Sequence, residues 1–286
     1  MSRLRISAIS YLNTAPLMWD LEYGEAGHNF DISYTIPSAC ARALKEGTAD
    51  IGIIPAAAYA QIPNLKVIPD IAIASRQPVR SILLVSRVPL EKIRTIALDT
   101  SSMTSVALTK ILFAKWLGGG REFKSMAPKV DQMLDACDAG LLIGDPALQV
   151  DRSRYFTLDL AEEWIRYTGK PFVFAFWAVR AAALEERGSH DASPLDLTSI
   201  FQHSRNHGLE LENLHHIACE WGPRLAISVQ DVRSYLTENI YYHLDDPCLE
   251  GLQLFYRYAA EISALSLAPP LRFLKEVPHS RAVTVS

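Results

Sequence analysis

Five hydroxyl side chains crowd into the run Asp99-Thr100-Ser101-Ser102-Met103-Thr104-Ser105, between a strand-like segment (Thr95 to Leu98) and a helical one (Val106 to Leu117). A helix N-terminus presents backbone N–H groups that have no partner inside the helix. Its dipole favours negative charge, and short hydroxyls add donors without filling the space. The chemistry such a run supports is the holding of an anion. Ser101 or Ser102 would serve equally well as an ordinary helix cap, so the run alone leaves both readings standing.

Open parallel sheets bind ligands outside the carboxyl ends of their strands. The candidate strand ends here are followed by Ser10-Tyr11-Leu12-Asn13-Thr14-Ala15-Pro16, Pro37-Ser38, Pro55-Ala56, Ser75 and Gly144-Asp145. Each is polar, small or glycine-bearing, and their agreement points to one shared pocket. Individually they stay ambiguous. Asn13 fits the backbone of a tight turn ahead of a helix that Pro16 would start. Asp145, before Pro146, suits a helix cap as well as a pocket carboxylate.

Other chemistries lose their usual support. The sequence has no GxGxxG after a strand, no GxxxxGK[ST], no GxSxG and no HExxH. His215-His216 have no carboxylate or cysteine at metal-ligand spacing, and Gly118-Gly119-Gly120 reads as a helix stop. We therefore expect no cofactor and no metal, with catalysis, if any, resting on the positioning of a small anion.

The elements that must position these residues follow from apolar patterning. Strands are expected at Arg5–Ser10, Ile32–Ile36, Asp50–Ile54, Val67–Ile73, Ser81–Ser86, Thr95–Leu98, Gly140–Ile143 and Phe172–Val179. They alternate with helices such as Ser38–Glu46, capped by Ser38 and ended by Gly47, so the class is α/β. Phe172–Val179 is apolar on both faces, as a fully buried strand or one passing between two lobes would be. Beyond a polar stretch through Ser189-His190-Asp191 the pattern turns helical: Leu195–His207, Leu211–Glu220, Gln230–His243 and Cys248–Ala264. The tail beyond Pro278 reads as partly disordered.

With 286 residues, 49% of them hydrophobic, and a net charge of -4, the chain can build two cores and has no general pull toward nucleic acid or an anionic membrane. Cys40, Cys137, Cys219 and Cys248 are too scattered for a zinc site or a disulfide framework. Met1 to Ser7 leads into a strand pattern without a signal-peptide core, and no apolar run is long enough to span a bilayer. A cytoplasmic setting is expected; the oligomeric state is not legible.

The motifs together resemble the chorismate dehydratase family of the futalosine route to menaquinone. The resemblance rests on Ser10-Tyr11-Leu12-Asn13-Thr14-Ala15-Pro16-Leu17, on Pro37-Ser38 with Glu46-Gly47-Thr48-Ala49-Asp50 through Pro55, and on Ile73-Ala74-Ser75 with Val79-Arg80-Ser81. It continues through Ala97 to Leu108, Leu142-Ile143-Gly144-Asp145, and Asp159 to Trp164 ahead of Pro171 to Ala175. It implies a two-lobed fold like periplasmic binding proteins of the second structural type, with a ligand cleft between the lobes. The first lobe would take 1–85 and 182–286, including the helical tail, and the second 86–181. Ser81–Ser86 and Phe172–Val179 would be the hinge crossings.

The implied substrate is chorismate, and no partner macromolecule is implied. Asn13 and Ser81 become the expected catalytic residues, orienting a substrate carboxylate that acts as base, with Asp145 the competing base. Ser10, Tyr11, Ser38, Pro55, Thr100, Ser101, Ser102, Thr104, Ser105, Gly144 and Asp145 become expected substrate contacts. A related enzyme of the same fold, dihydroxynaphthoate synthase, is disfavoured because its resemblance depends on a second-lobe histidine and none lies between 86 and 181. A non-catalytic anion-binding protein of this fold is the other alternative.

Overall fold

A computed structural model describes residues 3–188 and 195–274; the Ser189-His190-Asp191 stretch and the tail beyond Pro278 lie outside the described residues. Two five-stranded mixed sheets organise the chain. The first has the order β2-β1-β3-β10-β4, built from β1 (Leu4–Ile9), β2 (Phe30–Thr35), β3 (Ile51–Pro55), β4 (Leu65–Ser75) and β10 (Phe172–Arg180). The second has the order β7-β6-β8-β5-β9, from β5 (Ile82–Ser86), β6 (Thr95–Asp99), β7 (Glu122–Met126), β8 (Ala139–Ile143) and β9 (Phe156–Asp159).

Parallel pairs β1–β2, β1–β3, β6–β7 and β6–β8 send the carboxyl ends of β1, β2, β3, β6 and β8 toward helix starts, as crossover connections require. β10 runs antiparallel between β3 and β4, with Phe172 to Val179 all buried. That accounts for its apolar character on both faces: it is an interior strand of the first sheet. β5 lies antiparallel between β8 and β9 inside the second sheet. The two runs expected as hinge crossings are thus core strands of opposite sheets. The chain passes between sheets through residues 76–81 and again between Asp159 and Phe172.

Two strands escaped the sequence pattern, β7 and β9, and both are edges. β7 carries Glu122 and Lys124 on an exposed face, the charged composition that keeps an edge from pairing with other chains. β9 has only four residues.

Local chemistry shifts several boundaries. The helix Pro37–Glu46 starts with proline at its first position and ends at Gly47 in the left-handed conformation (φ 74°). Ser38 lies inside it and does not cap it; its backbone N–H instead donates to the Ser101 carbonyl at 3.0 Å, across to the second-sheet unit. Pro16 sits within the short 3-10 helix Leu12–Met18, not at a helix start. The expected helix Gln230–His243 is cut short: Val229–Ser234 runs into a π-helical turn, Tyr235–Asn239, and Tyr241 then bridges Ala74 at the side of β4. The helix Leu197–Gly208 packs on Leu12–Met18 and β4, and Asp246–Glu261 packs on β10, so most of the tail's mass covers the first sheet.

Candidate functional site

The ends of β1, β2, β3, β6 and β8 face one another across the gap between the sheets. They border a cleft with about 430 Å³ of empty space, part of it open to solvent. Its floor is apolar, formed by Ile9, Ile73, Ile82, Ile143, Phe174 and Ala175; Pro37 and Pro55 close one side. Tyr11, Asn13, Ser102, Thr104, Ser105 and Gly144 supply the polar rim. Among the described residues no lysine, arginine or carboxylate lines it. An anion there must be held by neutral donors and helix ends.

The hydroxyl run divides by task. Thr100 is exposed, and its N–H is used by the Met126 carbonyl at 3.0 Å. Ser101 is tied to Asp99, its N–H and Oγ both donating to Oδ1 at 2.8 and 2.6 Å. Asp99 is fully buried, burial holds its carboxyl above the usual range, and its Oδ2 has no hydrogen-bond partner among the described residues. Ser102 Oγ accepts the Ser105 N–H at 3.2 Å, the capping contact of the helix Thr104–Lys115. Thr104 Oγ1 donates to the Phe174 carbonyl at 3.0 Å and accepts the Ala57 N–H at 3.1 Å, pinning this helix to the first sheet. The Ser105 hydroxyl has no hydrogen bond among the described residues and borders the cleft; the Thr100 hydroxyl has none either but does not line it.

Tyr11 reaches over from the first-sheet side. Its ring lies on Gly144, where an added Cβ would come within 2.5 Å of the ring carbons, and Gly144 has φ 59° besides, so both space and backbone call for glycine. The Tyr11 hydroxyl meets Ser101 Oγ at 3.4 Å, and burial raises its pKa above the ordinary tyrosine value. A second contact between the same segments is the Leu12 N–H donating to Asp145 Oδ1 at 3.0 Å. Asp145 therefore neither caps its helix nor lines the cleft; it clamps the turn after β1. Burial raises its carboxyl to about 6, and the Leu12 N–H opposes that rise.

Asn13 is buried at the rim. Ser81 is wholly buried and does not border the cleft itself, although its neighbour Ile82 does and its carbonyl accepts the Gly144 N–H at 2.8 Å. Ser38 also stands behind the cleft wall. Ser10 opens instead on an adjoining cavity of about 530 Å³ bordered by Glu22, Tyr34, Glu220 and Arg224, with Tyr11 as the partition between the two. The sequence reading named no residue from the helical tail. The structure brings one in: the Tyr235 hydroxyl donates to Ser81 Oγ at 2.8 Å. Nothing in a tyrosine within a helical run signals that its hydroxyl ends up beneath a distant strand.

Among the described residues no group of three or more histidine, cysteine, aspartate or glutamate side chains is placed to hold a metal, and no helix is long and apolar enough to cross a membrane.

Comparison with known proteins adds the context that geometry lacks. A protein family described as menaquinone biosynthesis matches residues 4–261. A chorismate dehydratase from Thermus thermophilus is 28% identical over 277 residues, covering 91% of this chain and 94% of that one. Among solved structures, a protein of Archaeoglobus fulgidus superposes with a TM-score of 0.68 at 14% identity, covering 91% of this chain and 97% of that one. The periplasmic aliphatic sulphonate binding protein of Escherichia coli superposes at 0.63 with 15% identity, covering 97% and 95%. A Candida albicans protein with the generic periplasmic binding protein fold superposes at 0.61 with 13% identity, covering 97% and 99%. The fold is that of periplasmic binding proteins.

Proposed function

The chain belongs to the menaquinone biosynthesis family, and from that membership we propose that it is a hydro-lyase converting chorismate to 3-[(1-carboxyvinyl)oxy]benzoate and water. The observation that carries this reading is the likeness to a chorismate dehydratase along nearly the full length of both chains. The cleft agrees with it: an apolar floor suits a six-membered ring, and hydroxyls with a helix N-terminus suit carboxylates.

The chemistry follows from the substrate. The ring carboxylate activates the C3 proton through C1=C2, so its removal leaves a delocalised carbanion. The C4 hydroxyl then departs with its electron pair, the ring becomes aromatic, and the proton and hydroxide together make water. Aromatisation drives the reaction, which leaves the protein the tasks of orientation and charge stabilisation.

We assign the proton transfer to the enolpyruvyl carboxylate of chorismate itself, oriented by Asn13 at the cleft rim and by Ser81, which lies immediately behind the wall that Ile82 forms. The start of the helix Thr104–Lys115, with Ser102 and Ser105, holds the ring carboxylate. Tyr11, Gly144 and Thr104 border the cleft and also tie the two sheets together, while Asp145, Ser101 and Ser38 support these contacts from behind. Asp145 is the less suitable base because its carboxylate is engaged by the Leu12 N–H. We place the reaction in the cytoplasm, consistent with four free cysteines.

The test is the purified protein with chorismate and no added metal or nucleotide, following chorismate loss and identifying the product by chromatography and mass. Formation of 3-[(1-carboxyvinyl)oxy]benzoate is expected. Chorismate that is bound and recovered intact would overturn the assignment in favour of a non-catalytic binding protein.

A further inference from the structure

We propose that Tyr235 is a positioning residue for the reaction, acting through Ser81; this rests on the functional reading above. Tyr235 opens the π-helical turn Tyr235–Asn239, which interrupts a run that would otherwise continue as α-helix. A π turn costs regular hydrogen bonding and recurs where a side chain must be delivered to a site. Here the side chain delivered is the buried ring of Tyr235, carried from the helical tail to the passage between the sheets.

The hydrogen bonding has a direction. Tyr235 has one hydroxyl proton, and it goes to Ser81 Oγ at 2.8 Å. Ser81 Oγ is thereby occupied as an acceptor, and its own proton has no acceptor among the described residues. A serine hydroxyl rotates freely unless a partner selects one orientation. Tyr235 favours orientations in which the Ser81 proton points away from the phenol, and polarises that O–H by hydrogen-bonding to its oxygen. The phenol stays protonated, since burial raises its pKa far above neutrality, so the donor is always present.

Tyr235→Phe removes one oxygen and keeps the ring. The expected result is a fall in kcat of roughly 10–100-fold, the range seen when outer partners of functional groups are removed, with KM changed by less than about threefold and the melting temperature close to the parent. Ser81→Ala supplies the discriminating comparison. If Tyr235 acts through Ser81, the double variant Ser81→Ala/Tyr235→Phe is no slower than Ser81→Ala alone. Full parental kcat in Tyr235→Phe, or losses that multiply in the double variant, would overturn the proposal. Should Tyr235→Phe fail to fold, 3-fluorotyrosine at 235 keeps the shape and strengthens the donor: a shifted kcat supports the proposal and an unshifted one contradicts it. The parent protein's own turnover of chorismate separates the cases. If the parent makes no product, the functional reading fails; if the parent is active and the variants are indifferent, only the role of Tyr235 fails.

Discussion

The two walls of the cleft use opposite strategies. The first-sheet wall sends side chains outward from the turn after β1: Tyr11 crosses to Ser101 and Gly144, and Asn13 sits at the rim, while the Leu12 backbone N–H donates to Asp145. The second-sheet wall keeps its groups short and close to the backbone, as a helix start flanked by hydroxyls. On the proposed reading, one wall orients through carboxamide geometry and the other holds charge through N–H groups and a dipole. Side chains can be changed one atom at a time, whereas backbone donors cannot, so the first wall should respond far more sharply to substitution.

Asn13→Ala is the largest break. Loss of about 10²–10³ in kcat is expected, the scale of removing one oriented donor at a reacting centre. Steady-state kinetics with chorismate measure it, and circular dichroism checks that the fold is kept. Near-parental turnover would remove Asn13 from the orienting role.

Gly144→Ala tests the contact between the walls. A Cβ within 2.5 Å of the Tyr11 ring, on a backbone at φ 59°, forces Tyr11 off its seat. We expect about 1–3 kcal/mol of destabilisation and a clear drop in kcat/KM. Both should be partly restored by adding Tyr11→Ala, read by thermal melting and kinetics on the two variants.

Thr104→Val addresses the second wall's structural half. The methyl fills the space, but the Phe174 carbonyl and Ala57 N–H lose their buried partner, at a cost of about 1–3 kcal/mol. Denaturant unfolding should show the loss, and kcat should fall less than in Asn13→Ala.

Asp145→Asn sharpens the comparison through pH. The Asp145 carboxyl titrates near 6 in the folded protein, against 3.8 for an unperturbed aspartate. A raised acid favours folding while it is protonated, so its contribution is complete below about pH 4 and is lost as pH rises through about 6. The amide still accepts from Leu12 and never ionises. The variant should therefore match the parent at pH 4 and exceed it at pH 8, by on the order of 2 kcal/mol. Unfolding curves at the two pH values measure the gap, and an equal gap at both would contradict the burial effect.

Much of this architecture was legible because buried strands are apolar and helix stops are chemically marked: β1, β3, β8 and β10 stand out, and Gly47 ends its helix as glycine should. Edge strands β7 and β9 were not legible, since edges avoid the very pattern that identifies interior strands. The strand-end residues correctly pointed to one gap between sheets, but sequence does not show which oxygen is already committed. Ser101 and Thr104 resemble ligand groups in the sequence, and in the structure they serve Asp99, Phe174 and Ala57. Asp145, the competing base in the sequence, accepts the Leu12 N–H, a backbone contact that no spacing in the sequence signals. Tyr235 lay beyond reach because its position depends on a π turn and on tail packing, neither of which has a local code.

The central claim is that orientation, with the substrate's carboxylate as base, does the chemistry without a protein carboxylate. The most direct measurement is kcat for chorismate in Asp145→Asn, at a pH where the variant is folded. The account predicts turnover within about tenfold of the parent. A fall of three or more orders of magnitude with the fold intact, the signature of a lost general base, would contradict it.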